Sequence, residues 1–229
     1  MGKPFFEPDQ ATAIVPTSDG SDTLYSGRFK EHYHSVNGAV AEALHVYIKQ
    51  GFNQVNKKEI SIFEMGFGTG LNAFLSCLEA EKAQKTVRYF SVEKFPVNHQ
   101  VLKQLNYGTG EYARHKDVYL RIALSDFGSE VQITKNFILE KQMLDFEFME
   151  TNRTFDLVYF DAFSPDTQSE LWKPVFFERL YASINPGGIL TTYSSKGTVK
   201  QALRSAGFVL QRLPGPAGKR HMLRATKLL

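Results

Sequence analysis

Three glycines at alternate positions, Gly66, Gly68 and Gly70, follow an acid, Glu64, in the segment Ile60–Asn72, ISIFEMGFGTGLN. Glycines at this spacing let a turn bend tightly and let a ligand approach bare backbone. The residues ahead of them, Ile60, Ile62 and Phe63, form a short apolar run that reads as a buried strand. Those behind, Leu71–Leu78, are helix-compatible, and a helix N-terminus presents free N–H groups. Strand, glycine turn and helix together make a cradle for a nucleotide cofactor. A dinucleotide fingerprint, G-x-G-x-x-G, would need glycine where this chain has Leu71.

Acids stand at or near the ends of successive predicted strands. In a doubly wound sheet that is where a ligand lies. Glu64 closes the first strand. Glu93 closes the second and suits the two hydroxyls of a ribose. Asp145 follows the third, where a carboxylate can receive an adenine amino group. Asp161 closes the fourth, in Asp161-Ala162-Phe163-Ser164-Pro165. Any one of them has a plain reading as a helix cap or surface charge. Four in succession behind a glycine turn point to a site. E-x-G-x-G-x-G resembles the first motif of S-adenosylmethionine (SAM) methyltransferases, and beside a methyl donor Asp161 suits an amine acceptor. It would orient the amine and take its proton.

Other chemistries find little support. The histidines His32, His34, His45, His99, His115 and His221 show no ligand spacing, and the lone cysteine, Cys77, reads as a small core residue. No metal is expected. There is no G-x-S-x-G hydrolase motif and no Walker lysine. Tyr33, His34, Phe163 and Trp172 are rim aromatics that would stack on a base, with core packing the better reading for any single one. Lys219, Arg220 and Arg224 would touch phosphate, or serve only as solvated charge.

The elements that must position these groups alternate. Residues 1–22 read as an extended arm. Thr23–His34 reads as a hairpin turning near Ser26-Gly27, and Asn37 as the cap of a helix reaching Gln50, with Val40, Ala43, Leu44, Tyr47 and Ile48 on its apolar face. Further strands are predicted over Val87–Val92, Val131–Leu139, Asp156–Phe160 and Ile189–Tyr193. Pro96 opens a helix, as does Leu171, and Val199–Ala206 is another; residues 107–130 hold helices and loops. Phe208–Leu213 and His221–Thr226 pair as a closing antiparallel hairpin. This alternation predicts an α/β fold, Rossmann-like, with a seven-stranded, mainly parallel sheet covered by helices on both faces. One domain over 1–229 is expected, its core at 58–229.

The chain of 229 residues is 42% hydrophobic and 22% charged, ordinary for a globular protein. No apolar run is long enough to span a bilayer, and the first residues lack the pattern of a signal or myristoylation site. A cytoplasmic monomer is expected. The net charge of +3 conceals an asymmetry: nine Lys/Arg and no acid follow Glu178, and the rest of the chain is net acidic. A basic end suggests an anionic partner, nucleic acid first.

With these residues in view, the chain resembles the methyltransferase domain of the MnmC-type family. The resemblance runs over roughly residues 22–226. It rests on Tyr25-Ser26, YHSVNGAVAE from Tyr33, EMGFGTGLN, DAFSPDTQSELW from Asp161, NPGG with TTYSSKG, and GPAGKRHMLRA. It implies a SAM-dependent methyltransferase acting on 5-aminomethyl(-2-thio)uridine at the tRNA wobble position. It further implies Asp161 beside the transferred methyl. Glu64, Gly66, Gly68, Gly70, Asn72, Glu93 and Asp145 would hold the cofactor. Tyr33, His34, Phe163, Ser164, Pro165, Lys219 and Arg220 would face the anticodon stem-loop. Many relatives carry a flavin oxidoreductase domain for which this chain has no room, so a stand-alone form is expected. Thr167-Gln168-Ser169 stands where fused members have Lys-Asn-Pro. The competing readings are a small-molecule amine methyltransferase or aminopropyltransferase on the same fold, and a non-catalytic RNA-binding protein.

Overall fold

A computed structural model describes residues 12–148 and 152–229. The described residues open with an antiparallel sheet of three strands, β1 (Thr12–Pro16), β2 (Asp22–Ser26) and the short β3 (Glu31–His32). The expected hairpin is present as β2–β3. Of the extended arm expected over 1–22, residues 1–11 lie outside the described residues, and residues 12–16 form a strand that pairs with β2 in register, Ile14 opposite Leu24.

Helix α1 (Ala39–Ala43) continues as a π-helical turn over Leu44–Lys49. Asn37 does not cap it. Gly38, at φ +134°, takes that place, and the first N–H groups find acceptors in the β1–β2 turn instead. Ala39 N–H reaches Thr17 Oγ1 at 3.3 Å, Val40 N–H reaches Ser21 Oγ at 3.2 Å, and Ala41 N–H reaches Asp19 Oδ2 at 2.8 Å. Three groups 19 to 22 residues away satisfy what a local cap would leave half done.

The main sheet has eight strands, not seven. In chain order they are β4 (Glu59–Met65), β5 (Thr86–Glu93), β6 (Glu130–Thr134), β7 (Phe137–Met143), β8 (Phe155–Phe160), β9 (Ile184–Thr192), β10 (Val209–Pro214) and β11 (His221–Thr226). Their spatial order is β10-β11-β9-β8-β4-β5-β7-β6. The central five are parallel; β6, β10 and β11 run antiparallel to their inner neighbours. The extra strand comes from the segment read as one strand over Val131–Leu139. It folds back at Lys135-Asn136, two polar residues that suit a tight hairpin turn better than a continuing ladder.

The helices are α2 (Leu71–Ala83), α3 (His99–Leu102), α4 (Lys116–Ala123), α5 (Pro174–Ser183) and α6 (Gly197–Ser205). Pro96 does not open α3. Asn98 does, accepting Gln100 N–H at 2.7 Å, since a side-chain acceptor fixes a helix start more firmly than a ring. Trp172 likewise lies in a 3₁₀ turn ahead of α5, which Pro174 opens. Asn185-Pro186-Gly187-Gly188, just past the end of α5, belongs to β9, with a register shift against β8.

Alternation along β4 divides the core. Ile60 and Ile62 join the apolar cluster on the α2 side, with Phe74 and Tyr119. Phe63 and Met65 join the opposite cluster, with Phe90, Trp172, Phe176 and Phe177. Every residue of β8 is buried, as a central parallel strand requires. The chain passes from β4 to β5 and β7 on one side, then crosses back to β8 on the other. That reversal opens a crevice above the C-terminal ends of the strands.

Candidate active site

The crevice holds a cavity of about 790 Å³, a size that accommodates a cofactor with part of a substrate. Its floor is set by register. Beyond the strand ends the ladder continues, with Gly66 N–H on Val92 O, Asp161 N–H on Met65 O and Leu144 N–H on Glu93 O, each at 3.1 Å. Gly66, Glu93, Asp145 and Asp161 thereby reach the same wall.

The glycine turn is built for backbone approach. Gly66, Gly68 and Gly70 have φ of +87°, +52° and +77°, where an L side chain is strained. A Cβ on Gly66 would lie 2.9 Å from Asp161 O, and one on Gly68 would lie 3.1 Å from the Tyr33 ring. Gly66 and Gly68 line the cavity; Gly70 instead packs over Phe67 at the start of α2. The Glu93 carboxylate accepts Gly68 N–H at 3.0 Å and Phe95 N–H at 2.8 Å. Asp145 lines the cavity and pairs with Lys94 at 2.5 Å. This bare, positive-φ turn and the acid beyond it fit the adenosyl group of a SAM-type cofactor.

Two residues expected to touch the cofactor sit behind it. Glu64 is fully buried on the α2 side of β4, where alternation sends it. Its Oε2 accepts Ser91 Oγ–H at 3.0 Å, while Oε1 has no partner. Burial, then the charge of Asp161, pushes its carboxyl well above the usual carboxylate range. Asn72 is also buried, and its Nδ2 donates to Asp161 Oδ2 at 2.7 Å. Lys141 lies behind the turn as well. Its ammonium sits 4.4 Å from the Phe67 ring and 4.5 Å from that of Phe127, and burial lowers its pKa to about 8.

Asp161 faces the cavity. The other carboxylate oxygen, Oδ1, accepts Tyr47 Oη–H at 2.6 Å. Burial is the largest influence on its carboxyl and pushes it up to about 7, against the pull of the Tyr47 hydrogen bond. A carboxylate poised there exchanges protons near neutrality.

The rim residues divide. Tyr33, His34, Phe163 and Lys219 line the cavity; Ser164, Pro165 and Arg220 do not. Phe163 stacks on Phe29 at 4.4 Å and meets Tyr33 edge-on at 5.0 Å. Ser164 Oγ–H donates to Glu31 Oε2 at 2.9 Å, tying the loop after β8 to the N-terminal sheet. His34 Nε2 contacts Thr69 Oγ1 at 2.9 Å, and burial lowers its pKa to about 4, so its ring is neutral. Lys219 is no free phosphate ligand. It pairs with Glu42, a carboxylate that also accepts Ser35 N–H, and covers the Tyr193 ring at 4.3 Å. Arg220 is exposed. Of the other basic residues near the end, Lys196 pairs with Asp166 and Lys227 donates to Tyr181 O and Ile184 O.

Sequence reasoning missed Tyr47, counted above among apolar helix positions, and the wall residues Phe29, Glu31, Glu42 and Tyr193. The Phe29 and Glu31 signals were present in the hairpin's aromatic and acidic composition. Tyr47 gave none, because a tyrosine at core spacing reads as core. Among the described residues, no group of three or more His, Cys, Asp or Glu side chains is arranged to hold a metal ion, and no helix is long and apolar enough to cross a membrane.

Residues 123–228 match the model of a family described as S-adenosyl-L-methionine-dependent methyltransferase. The tRNA 5-methylaminomethyl-2-thiouridine biosynthesis bifunctional protein MnmC of Cupriavidus necator is 31% identical over 210 residues, covering 86% of this chain and 32% of that protein. The protein of the same name from Thiobacillus denitrificans is 31% identical over 219 residues, covering 88% and 34%. The chain thus spans about one third of the length of these relatives. The crystal structure of MNMC2 from Aquifex aeolicus superposes with a TM-score of 0.76 at 25% identity, covering 96% of this chain and 72% of that one.

Proposed function

We propose, on the premise that this chain belongs to the MnmC-type methyltransferase family, that it methylates the exocyclic amine of 5-aminomethyl(-2-thio)uridine at the tRNA wobble position. The observation that carries the reading is the convergence of Gly66, Gly68, Glu93 and Asp161 on one cavity, with the Asp161 backbone against Gly66 and its carboxylate bonded to Asn72 just after the glycine turn.

Bound against that turn, SAM supplies a methyl group already activated as a sulfonium. Gly66 and Gly68 would admit it, Glu93 would hold its ribose and Asp145 its adenine amino group. Asp161 would orient the acceptor nitrogen and take its proton, a task suited to a carboxyl poised near 7. Phe163, backed by Phe29, and Tyr33 would border the base. Arg28, Lys94 and Lys173 line the same cavity, so the cations nearest an incoming strand come from three separate segments and not from the basic C-terminal end alone.

One observation supports a second reading. The cavity wall also carries Glu31, Glu42, Glu147 and Glu170, an acidic lining that suits a free cationic amine. Transfer of labelled methyl from SAM to tRNA from cells lacking this gene, followed by nucleoside analysis, separates the two. Label in 5-methylaminomethyl-uridine supports the first. Unlabelled tRNA with SAM still bound, and label in a small amine, supports the second.

A further inference from the structure

We infer that Tyr47 is a positioning residue for the Asp161 carboxylate, seated there by the π-helical turn Leu44–Lys49. The inference deepens the proposed function and rests on its assignment of Asp161 as the group that receives the amine.

The geometry is specific. Tyr47 is buried and its hydroxyl donates to Asp161 Oδ1 at 2.6 Å, while Asn72 Nδ2 donates to Oδ2 at 2.7 Å. Two donors from two helical segments thus hold both oxygens, and the carboxylate cannot rotate about its terminal bond without breaking one of them. Each oxygen keeps a second lone-pair direction for the acceptor amine. A phenol whose only task was to fill the core would be expected to hydrogen-bond to backbone; this one meets the acid at the cavity wall.

The π-helical turn explains how the ring arrives there. A π turn shifts the side chains after it relative to an α-helix, and such turns recur at functional sites. Tyr47 packs against the Tyr159 ring at 5.1 Å, which fixes its plane. The turn can end only at glycine, since a Cβ on Gly51 would lie 2.5 Å from Tyr47 O.

Around Asp161 stand Glu42 from α1, Glu64 from β4, Tyr89 from β5, Tyr193 after β9 and Lys219 from the β10–β11 turn. Burial and the charge of Glu42 oppose its ionisation; Tyr47, Asn72 and Lys219 favour it. Without the phenol, ionisation of Asp161 moves to higher pH.

The test is Tyr47→Phe in the whole chain, with asparatate carboxyls labelled by ¹³C and the Asp161 resonance identified by its loss in Asp161→Asn. The expected result is a titration midpoint raised by about 1 in pH, the order that one lost hydrogen bond to a carboxylate produces. The ascending limb of kcat/KM on aminomethyl-uridine tRNA should move by the same amount, with SAM affinity within about twofold of wild type. Placing 3-fluorotyrosine at position 47, a stronger donor of the same shape, should move the midpoint the other way, and decides the matter if the phenylalanine variant does not fold. Unmoved midpoints overturn the inference. If the wild-type protein leaves tRNA unmethylated, the proposed function falls, and the titration still decides whether Tyr47 tunes Asp161.

Discussion

The carboxylate of Glu93 and the backbone N–H of Gly68 are joined at 3.0 Å, so the acid at the end of β5 fixes the middle of the glycine turn at the end of β4. The bond links the ends of two neighbouring parallel strands at the cavity wall. It also uses Gly68 twice, once through its N–H and once through its missing side chain.

Gly68→Val should therefore remove SAM binding. The valine would need φ near +52° and would press on the Tyr33 ring, whose nearest atom is 3.1 Å from the new Cβ. β-branched residues tolerate that backbone poorly. Calorimetric titration should show SAM affinity weakened by at least about tenfold, the effect of ~1.4 kcal/mol. Unchanged affinity would place the cofactor elsewhere.

Asp161→Asn should lower methyl transfer by about 10²–10⁴, the usual contribution of a positioned acid or base. SAM should still bind. In the wild type kcat/KM should rise with pH and level off above about 7, and the variant should lose that limb. The stability effect has a defined sign. A folded-state pKa raised from 3.8 to about 7 means the folded protein holds the proton more tightly. The carboxyl's stabilising contribution is full below pH 3.8 and is lost as pH rises through about 7. Melting curves across that interval should be flatter for the variant.

Lys219 and Arg220, adjacent in sequence, should behave differently. Lys219→Ala leaves Glu42, whose side chain is 8% exposed, without its cation. A melting temperature reduced by the equivalent of about 1–3 kcal/mol is expected. Arg220→Ala should leave the melting temperature within about 0.5 kcal/mol of wild type and lower the salt dependence of tRNA binding by about one charge. Equal melting temperatures for the two variants would contradict the Glu42 pairing.

Lys141→Met should alter the response to alkaline pH. The ammonium donates to Ala123 O at 3.2 Å at the end of α4, but burial holds its pKa near 8 against an ordinary 10.5. The unfolded chain binds this proton more tightly. Wild-type stability should accordingly gain from this group between about pH 8 and 10.5, and lose it as pH falls back through 8. The methionine variant should show no such gain in denaturant titrations across the interval.

Local patterns made most of the architecture readable. The run ahead of Glu64, the glycine turn and the buried Phe155–Phe160 strand each announce themselves within a few residues. Asp161 was legible because a strand end locates it. What stayed hidden depends on distant partners. The start of α1 is satisfied by the β1–β2 turn and not by neighbouring Asn37. Glu64 and Asn72 are adjacent to the cavity in sequence but lie behind it, because strand alternation and helix rotation turn them away. Lys219, readable as a phosphate contact or a solvated charge, pairs with Glu42, 177 residues earlier, a partner no local pattern reveals.

The acceptors that Thr17, Asp19 and Ser21 supply to α1 give the chain's early residues a stake in chemistry far from them. Tyr47 follows directly on that helix. A protease cut between Gly20 and Ser21 would leave every strand of the main sheet in place, yet unfasten the first turn of α1 and blur the aim of Asp161. Nicked protein of that kind should keep its fold and its hold on SAM while turning over slowly. Intactness of this turn is thus a measure of catalytic quality that a melting curve alone would miss.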